Sequence, residues 1–202
     1  MERNRSFGTL SGSLLVIAIV ILVLVPGASA QHNYKSLYAF TGGVDGDEPP
    51  PLGGVIFDDA GNLYGTTRLG GTYGAGTVFK LTPNSDGRWT ESVLHNFTGG
   101  ADGGQPIVGL VFDGAGSLYG TTYGGSAYGF GTVFKLTPNA DGSWKEKVLH
   151  NFTGGADGGN PSTALVRDAA GKLYGATYDG ASTGCGGSSG GLGCGVVFKI
   201  TP

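Results

Sequence analysis

Three histidines, two cysteines and a recurring aspartate are the residues with which this 202-residue chain could do chemistry. His95 and His150 stand 55 residues apart, each followed by Asn-Phe-Thr, and Tyr38 takes the same position earlier in the chain. A general base is normally a single residue held by a partner. A histidine that recurs with its neighbours reads instead as part of a repeated strand face. His32 stands apart, before the repeats begin. No Gly-x-Ser-x-Gly elbow, His-Glu-x-x-His pair or phosphate loop is present. Asn96-Phe97-Thr98 and Asn151-Phe152-Thr153 match the glycosylation acceptor pattern, but they follow the repeat and read as coincidence.

Cys185 and Cys194 flank the string GGSSGGLG. In an exported chain such a pair is expected to form a disulfide pinning a flexible loop. A metal site would need a nearby histidine or further thiols, and thiol exchange would need a Cys-x-x-Cys spacing. The acids Asp45, Asp102 and Asp157 lie in the related segments TGGVDGDEP, TGGADGGQP and TGGADGGNP. Calcium takes about six to eight oxygens, so two or more of these segments would have to converge on one ion. An Asp-Gly turn explains them with fewer assumptions. No cofactor is expected, and calcium is the disfavoured exception.

These residues sit in a chain that is one-fifth glycine: 42 glycines, beside 39% hydrophobic and 10% aromatic residues. Each glycine inside a helix costs about 1 kcal/mol relative to alanine, so a helix-rich fold is excluded. Glycine does not recur every third residue, which excludes collagen. The apolar content suffices for a core, which argues against disorder. With a formal net charge of −3 and no basic cluster beyond Arg5, no nucleic-acid partner is expected, because phosphate binding needs a basic face.

The first 30 residues form a separate segment. Arg3 and Arg5 precede an apolar run of twelve residues, Leu14 to Val25; Pro26-Gly27 and Ala28-Ser29-Ala30 follow. This is the pattern of a secretory signal peptide cleaved before Gln31. The run is short of the roughly 20 residues that span a bilayer. No membrane association is therefore expected after cleavage, and the mature chain is expected to be secreted, periplasmic or at the cell surface.

An internal repeat organises residues 31–202. Val93 to Gly104 recurs unchanged at Val148 to Gly159, and Gly76 to Asn84 at Gly131 to Asn139, both displaced by 55 residues. Leu63-Tyr64-Gly65-Thr66-Thr67 returns at Leu118 to Thr122 and as Leu173-Tyr174-Gly175-Ala176-Thr177. Three copies run over approximately 34–83, 89–138 and 144–202. In the middle copy, strands are predicted over Trp89 to Phe97, Ile107 to Phe112, Leu118 to Thr122 and Thr132 to Thr137, separated by glycine-rich turns. No stretch of residues 31–202 has a helical apolar period. The predicted fold is all-β: a β-propeller-like array of three four-stranded antiparallel blades.

The string GLVFDGAGSLYGTTYGGSAYGFGTVFKLTP resembles the GloVer tandem repeat of secreted bacterial proteins and, more distantly, NHL-type blades. The resemblance covers nearly all of residues 34–202. It implies a secreted, propeller-like repeat protein and carries no catalytic residue. Closed propellers use about 4 to 8 blades. Three copies therefore imply a shortened array, a piece of a longer gene, or two chains building a six-bladed ring. YKSLYAF, at Tyr34 to Phe40, matches the strand segment VLHNF, and so an N-terminal strand is placed to complete the last blade.

The glycine–tyrosine loops Arg68 to Ala75, Tyr123 to Phe130 and Tyr178 to Leu192 fall at equivalent places and are expected on one face. Tyr73, Tyr123, Tyr128 and Tyr178 could stack there on sugar rings or on a partner chain, or pack over the glycines. The expected function is that of an exported, non-enzymatic module binding a glycan or protein. The competing readings are an extracellular carbohydrate-active enzyme on a propeller scaffold and a purely structural surface array. The enzyme would need a constellation outside the repeat, for which the acids Asp45, Asp47 and Glu48 and the insertion of the third copy are the only places.

Overall fold

A computed structural model describes residues 34–181 and 193–202. Residues 1–30, for which a signal peptide is expected, Cys185 and most of the third glycine–tyrosine loop lie outside the described residues. The chain divides into two units, Met1–Lys35 and Ser36–Pro202. Only Tyr34 and Lys35 of the first are described, both exposed and without regular structure.

The second unit is all-β among the described residues. Its first sheet holds β1 (Ile56–Phe57), β2 (Leu63–Thr67), β3 (Thr77–Pro83) and β4 (Trp89–Asn96), in that order and antiparallel throughout. The second repeats it with β5 (Val111–Phe112), β6 (Leu118–Thr122), β7 (Thr132–Pro138) and β8 (Trp144–Asn151). The third holds β9 (Gly159–Pro161), β10 (Val166–Arg167), β11 (Leu173–Asp179) and β12 (Val197–Ile200). Its ladder runs β10-β11-β12, and β9 pairs with the far end of β11.

Sheets and sequence copies are out of phase by one strand. The Trp89 strand opens the second copy in sequence, yet it closes the first sheet, pairing with β3 from Thr77↔Asn96 to Pro83↔Trp89. The short turn after Asn84 makes this the nearer partner: Asn84 N–H donates to Arg88 O (2.8 Å) and Gly87 N–H to Asn84 O (3.0 Å). The second predicted strand is also shorter than expected, Val111–Phe112 in place of Ile107 to Phe112. Val108 leaves the ladder because its backbone turns to the segment that precedes β1. There Val108 bridges Leu52, and a Cβ on Gly109 would lie 3.2 Å from Gly54 N.

Two core clusters lie in the seams between consecutive sheets, and a third, Leu63, Phe79 and Leu81 of the first sheet, is covered by Tyr38, Phe40 and Trp89. Tyr64 and Val78 of the first sheet pack with Leu110, Leu118, Phe134 and Leu136 of the second. Tyr119 and Val133 of the second pack with Leu165 and Leu173 of the third. Phe97, just past β4, stands edge-on to Phe134 (5.1 Å); Phe152 meets Phe198 (5.1 Å) and Phe40 meets Phe79 (4.9 Å). Each such pair adds about 0.5–1.5 kcal/mol beyond its buried area. The glycine of Leu-Tyr-Gly follows from this packing, since a Cβ on Gly120 would sit 2.6 Å from Phe134 Cζ across the strand pair.

Candidate functional site

The polar residues singled out in the sequence form three equivalent latches. In the second, Asp102 Oδ2 accepts the Thr98 N–H (3.0 Å) and faces His95 Nε2 (3.3 Å), while Oδ1 accepts the Thr98 hydroxyl. In the third, Asp157 takes the same bonds from Thr153 and His150, the last at 3.0 Å. In the first, Asp45 accepts the Thr41 N–H (2.9 Å), the Thr41 hydroxyl (2.6 Å) and the Tyr38 hydroxyl (3.0 Å).

The histidines lie on the repeated strands β4 and β8, and each also has a positioned carboxylate partner, because the loop folds back over seven residues to meet its own strand. The return runs through left-handed backbone at Gly99 (φ 75°) and Gly154 (φ 75°), where glycine carries no Cβ to strain. The chemistry is still not that of a nucleophilic triad. There the imidazole sits between hydroxyl and carboxylate; here the carboxylate is the hub, and it holds the hydroxyl itself. Burial keeps His95 below the ordinary histidine pKa despite Asp102. Asp45 is held below the usual carboxylate range, chiefly by the Thr41 hydroxyl. Tyr38 is pushed up to about 12 by burial and by its bond to Asp45.

A second set of hubs supports the sheets from the opposite side of the repeat. Asp113 Oδ1 accepts the Ala115 and Ser117 N–H groups, and Oδ2 accepts the Tyr119 hydroxyl at 3.0 Å. Asp58 and Asp168 receive Tyr64 and Tyr174 in the same way. These aspartates are occupied by the turn they close. The acids that break the repeat's symmetry are engaged as well: Glu48 pairs with Arg68 at 3.0 Å on the surface, and Asp47 Oδ1 accepts the Glu48 N–H at 2.8 Å. Among the described residues, no three histidine, cysteine, aspartate or glutamate side chains are grouped as a metal site.

Two carboxyls escaped the sequence reading. Glu91 on β4 and Glu146 on β8 are partly buried, and each has a buried Oε1 without a hydrogen-bond partner. Burial first, and then the charges of Asp45 and Asp102 respectively, push both up to about 7. Their signal was legible, since Trp89-Thr90-Glu91 recurs as Trp144-Lys145-Glu146.

The face loops offer a different surface. The first two are clasped at their base by threonines, with Thr67 Oγ1 2.9 Å from Thr77 Oγ1 and Thr122 Oγ1 3.0 Å from Thr132 Oγ1; in the third, Thr177 Oγ1 accepts the Val196 N–H at 2.9 Å. The outer strand reaches the tip, where Asn96 Oδ1 accepts the Thr72 N–H at 2.8 Å. The latch segments tie neighbouring loops together. Gln105 N–H donates to Ala75 O (2.8 Å) of one loop, and Gln105 O accepts the Tyr123 N–H (3.0 Å) of the next. Asn160 repeats the first link with Phe130 O at 2.8 Å.

On this braced backbone Tyr73 and Tyr128 stand at equivalent tips, 62% and 60% exposed. Two of the expected positions differ. Tyr123 is half-buried, because the main-chain pairing of Tyr123 and Gly124 with the latch draws it down. Tyr178 is exposed but lies on β11, which extends to Asp179 by pairing with β9. Among the described residues no cysteine is a free thiol.

A family model described as the Gloeobacter/Verrucomicrobia repeat matches residues 24–189. No curated protein matches the chain.

Proposed function

The chain belongs to the Gloeobacter/Verrucomicrobia repeat family, and from that premise we propose that it is an exported, non-enzymatic module whose face loops bind a glycan. The three sheets are read as propeller-like blades, which would bring successive face loops onto one side. The observation that carries the reading is the pair of exposed tyrosines, Tyr73 and Tyr128, on loops whose backbone is already fixed by threonine clasps and latch bonds. A flat aromatic ring beside ordered N–H and C=O groups suits a sugar, which offers an apolar face and a rim of hydroxyls. Rigid loops lose little entropy on binding. Tyr178 extends the same face, and Tyr123 supports it from below.

The leader over residues 1–30 accounts for export to the periplasm, cell surface or medium. A Cys185–Cys194 disulfide would hold the third loop in that oxidising setting. No cofactor enters this account. The repeated aspartates, Asp45, Asp102 and Asp157 in the latches and Asp58, Asp113 and Asp168 in the turns, are committed to those bonds, which favours retention of a ligand over its turnover.

Incubating arrayed glycans with the purified protein tests the reading. Retention of one glycan class with unchanged glycan mass is expected. Cleavage of the arrayed glycans would instead carry the enzyme reading, and retention of a protein ligand alone would exclude the sugar.

A further inference from the structure

The two internal seams are built alike, and the two outer faces of the array are the halves of a third. On one side of each seam stands the valine that opens the Val-Phe-Lys strand: Val78 and Val133 are fully buried, at 0% exposure. Its counterpart on β12, Val197, is 83% exposed. On the other side stands the residue two before the inner strand's Phe or Arg: Leu110 and Leu165 are 6% and 5% exposed. Their counterpart in the first sheet, Val55, is 54% exposed.

The flanking aromatics obey the same rule. Tyr64 is closed over by Phe112 (5.1 Å) and Trp144 (6.3 Å) of the next sheet. Tyr174 of the third sheet is only partly buried, and Phe57 of the first sheet, the counterpart of Phe112, is 65% exposed. The open face of the third sheet thus presents what the first two sheets bury, and the open face of the first presents what covers them.

The strand edges match as well. Among the described residues, no strand pairs with the outer side of β12, where β3 carries β4 and β7 carries β8. A cleft of about 210 Å³ lies at this edge, lined by His150, Phe152, Asp157, Val196, Phe198 and Ile200. Ser36 to Phe40 aligns with the ends of β4 and β8, placing Tyr38 at the position of His95 and His150. Its Phe40 already packs on Phe79 as Phe97 packs on Phe134, but among the described residues the segment has no strand partner.

We propose that a second copy of this chain occupies these faces head to tail, with the first sheet of one copy seated on the third sheet of the other. Ser36 to Phe40 then pairs along β12 in the register of β7 and β8, with Tyr38 opposite Val197 and Ser36 opposite Phe198. Val197 is buried against Val55, and Tyr174 against Phe57. The contact is heterologous, and two such contacts close six sheets into a ring, within the roughly 4 to 8 that close a propeller. Closure rests on the propeller-like reading of the sheets; it does not depend on glycan binding.

Light scattering on the purified protein, with Val55→Glu and Val197→Glu as variants, decides the point. The wild type is expected at twice the mass of one chain. Each variant is expected at the mass of one chain with an unchanged far-UV spectrum, because both side chains are exposed within a single copy. A wild-type monomer across the accessible concentration range overturns the proposal. So does an open-ended ladder of sizes, or a dimer that survives both substitutions.

Discussion

Two regions of each repeat differ sharply in how they use their side chains. The latch segments, such as Thr98 to Gln105 (with His95 of the preceding strand), hold the histidines and their aspartate partners, and these groups are bonded to one another. The face loops, such as Tyr123 to Phe130, hold glycines and tyrosines, with the Tyr128 ring left in solvent. Residues that look reactive in the sequence are therefore engaged in closing loops. The surface left for recognition is aromatic and backbone. Repetition is the reason: a residue copied into every sheet serves what every sheet needs.

Removing a latch hub should have the largest effect. Asp102→Ala deletes the acceptor of two bonds from Thr98 and one from His95, and charged hydrogen bonds of this kind contribute about 1.5–3 kcal/mol each in isolation, non-additively. A loss of about 2–4 kcal/mol is expected in urea unfolding followed by circular dichroism. A loss below about 0.5 kcal/mol, the scale of ordinary surface substitutions, would mean that the latch is decorative and its residues are free for other work.

Next in size is the carboxyl that the latch opposes. Glu146 has a folded pKa of about 7 against an ordinary 4.5, so the folded state binds the extra proton between those values. Its contribution to stability is full below pH 4.5 and is lost as pH rises through 7. Glu146→Gln should flatten that decline and leave the variant more stable than wild type at pH 8, by about 1–2 kcal/mol after allowance for solvent screening. Equal pH dependence in the two proteins would contradict the burial of the Glu146 carboxyl within reach of the Asp102 charge.

The smallest effect on stability belongs to the face. Tyr73→Ala with Tyr128→Ala removes two rings that are more than half exposed, and exposed substitutions of this kind stay within about 0.5 kcal/mol. A thermal melt that shifts as far as that of Asp102→Ala would show that the tyrosines pack over their glycines.

How much of this was legible in the sequence follows the range of the interactions. The strands Leu118–Thr122 and Thr132–Pro138 lie where the repeat placed them, because alternating branched residues bounded by glycine and proline are local signals. The shortening of β5 and the placing of the Trp89 strand in the first sheet were not legible, since both depend on a neighbour. The glycines of Thr98 to Gly104 announced the turn, with Gly99 at φ 75°, but not that it would return Asp102 to His95 on its own strand. Val78, Val133 and Val197 head the same Val-Phe-Lys run in three strands and differ in what covers them. For Tyr123 and Tyr178 the sequence showed the loop but not its pairing with the latch, which draws the first down and sets the second on β11.

The contrast between latch and face is tested most directly by glycan retention on an array with two folded variants side by side: Tyr73→Ala/Tyr128→Ala and the milder latch variant Asp102→Asn. Retention should vanish in the tyrosine variant at unchanged melting temperature, and persist in Asp102→Asn despite a lowered one. Retention that survives loss of both tyrosines, or that disappears with Asp102→Asn while the protein is still folded, would contradict the assignment of binding to the face loops.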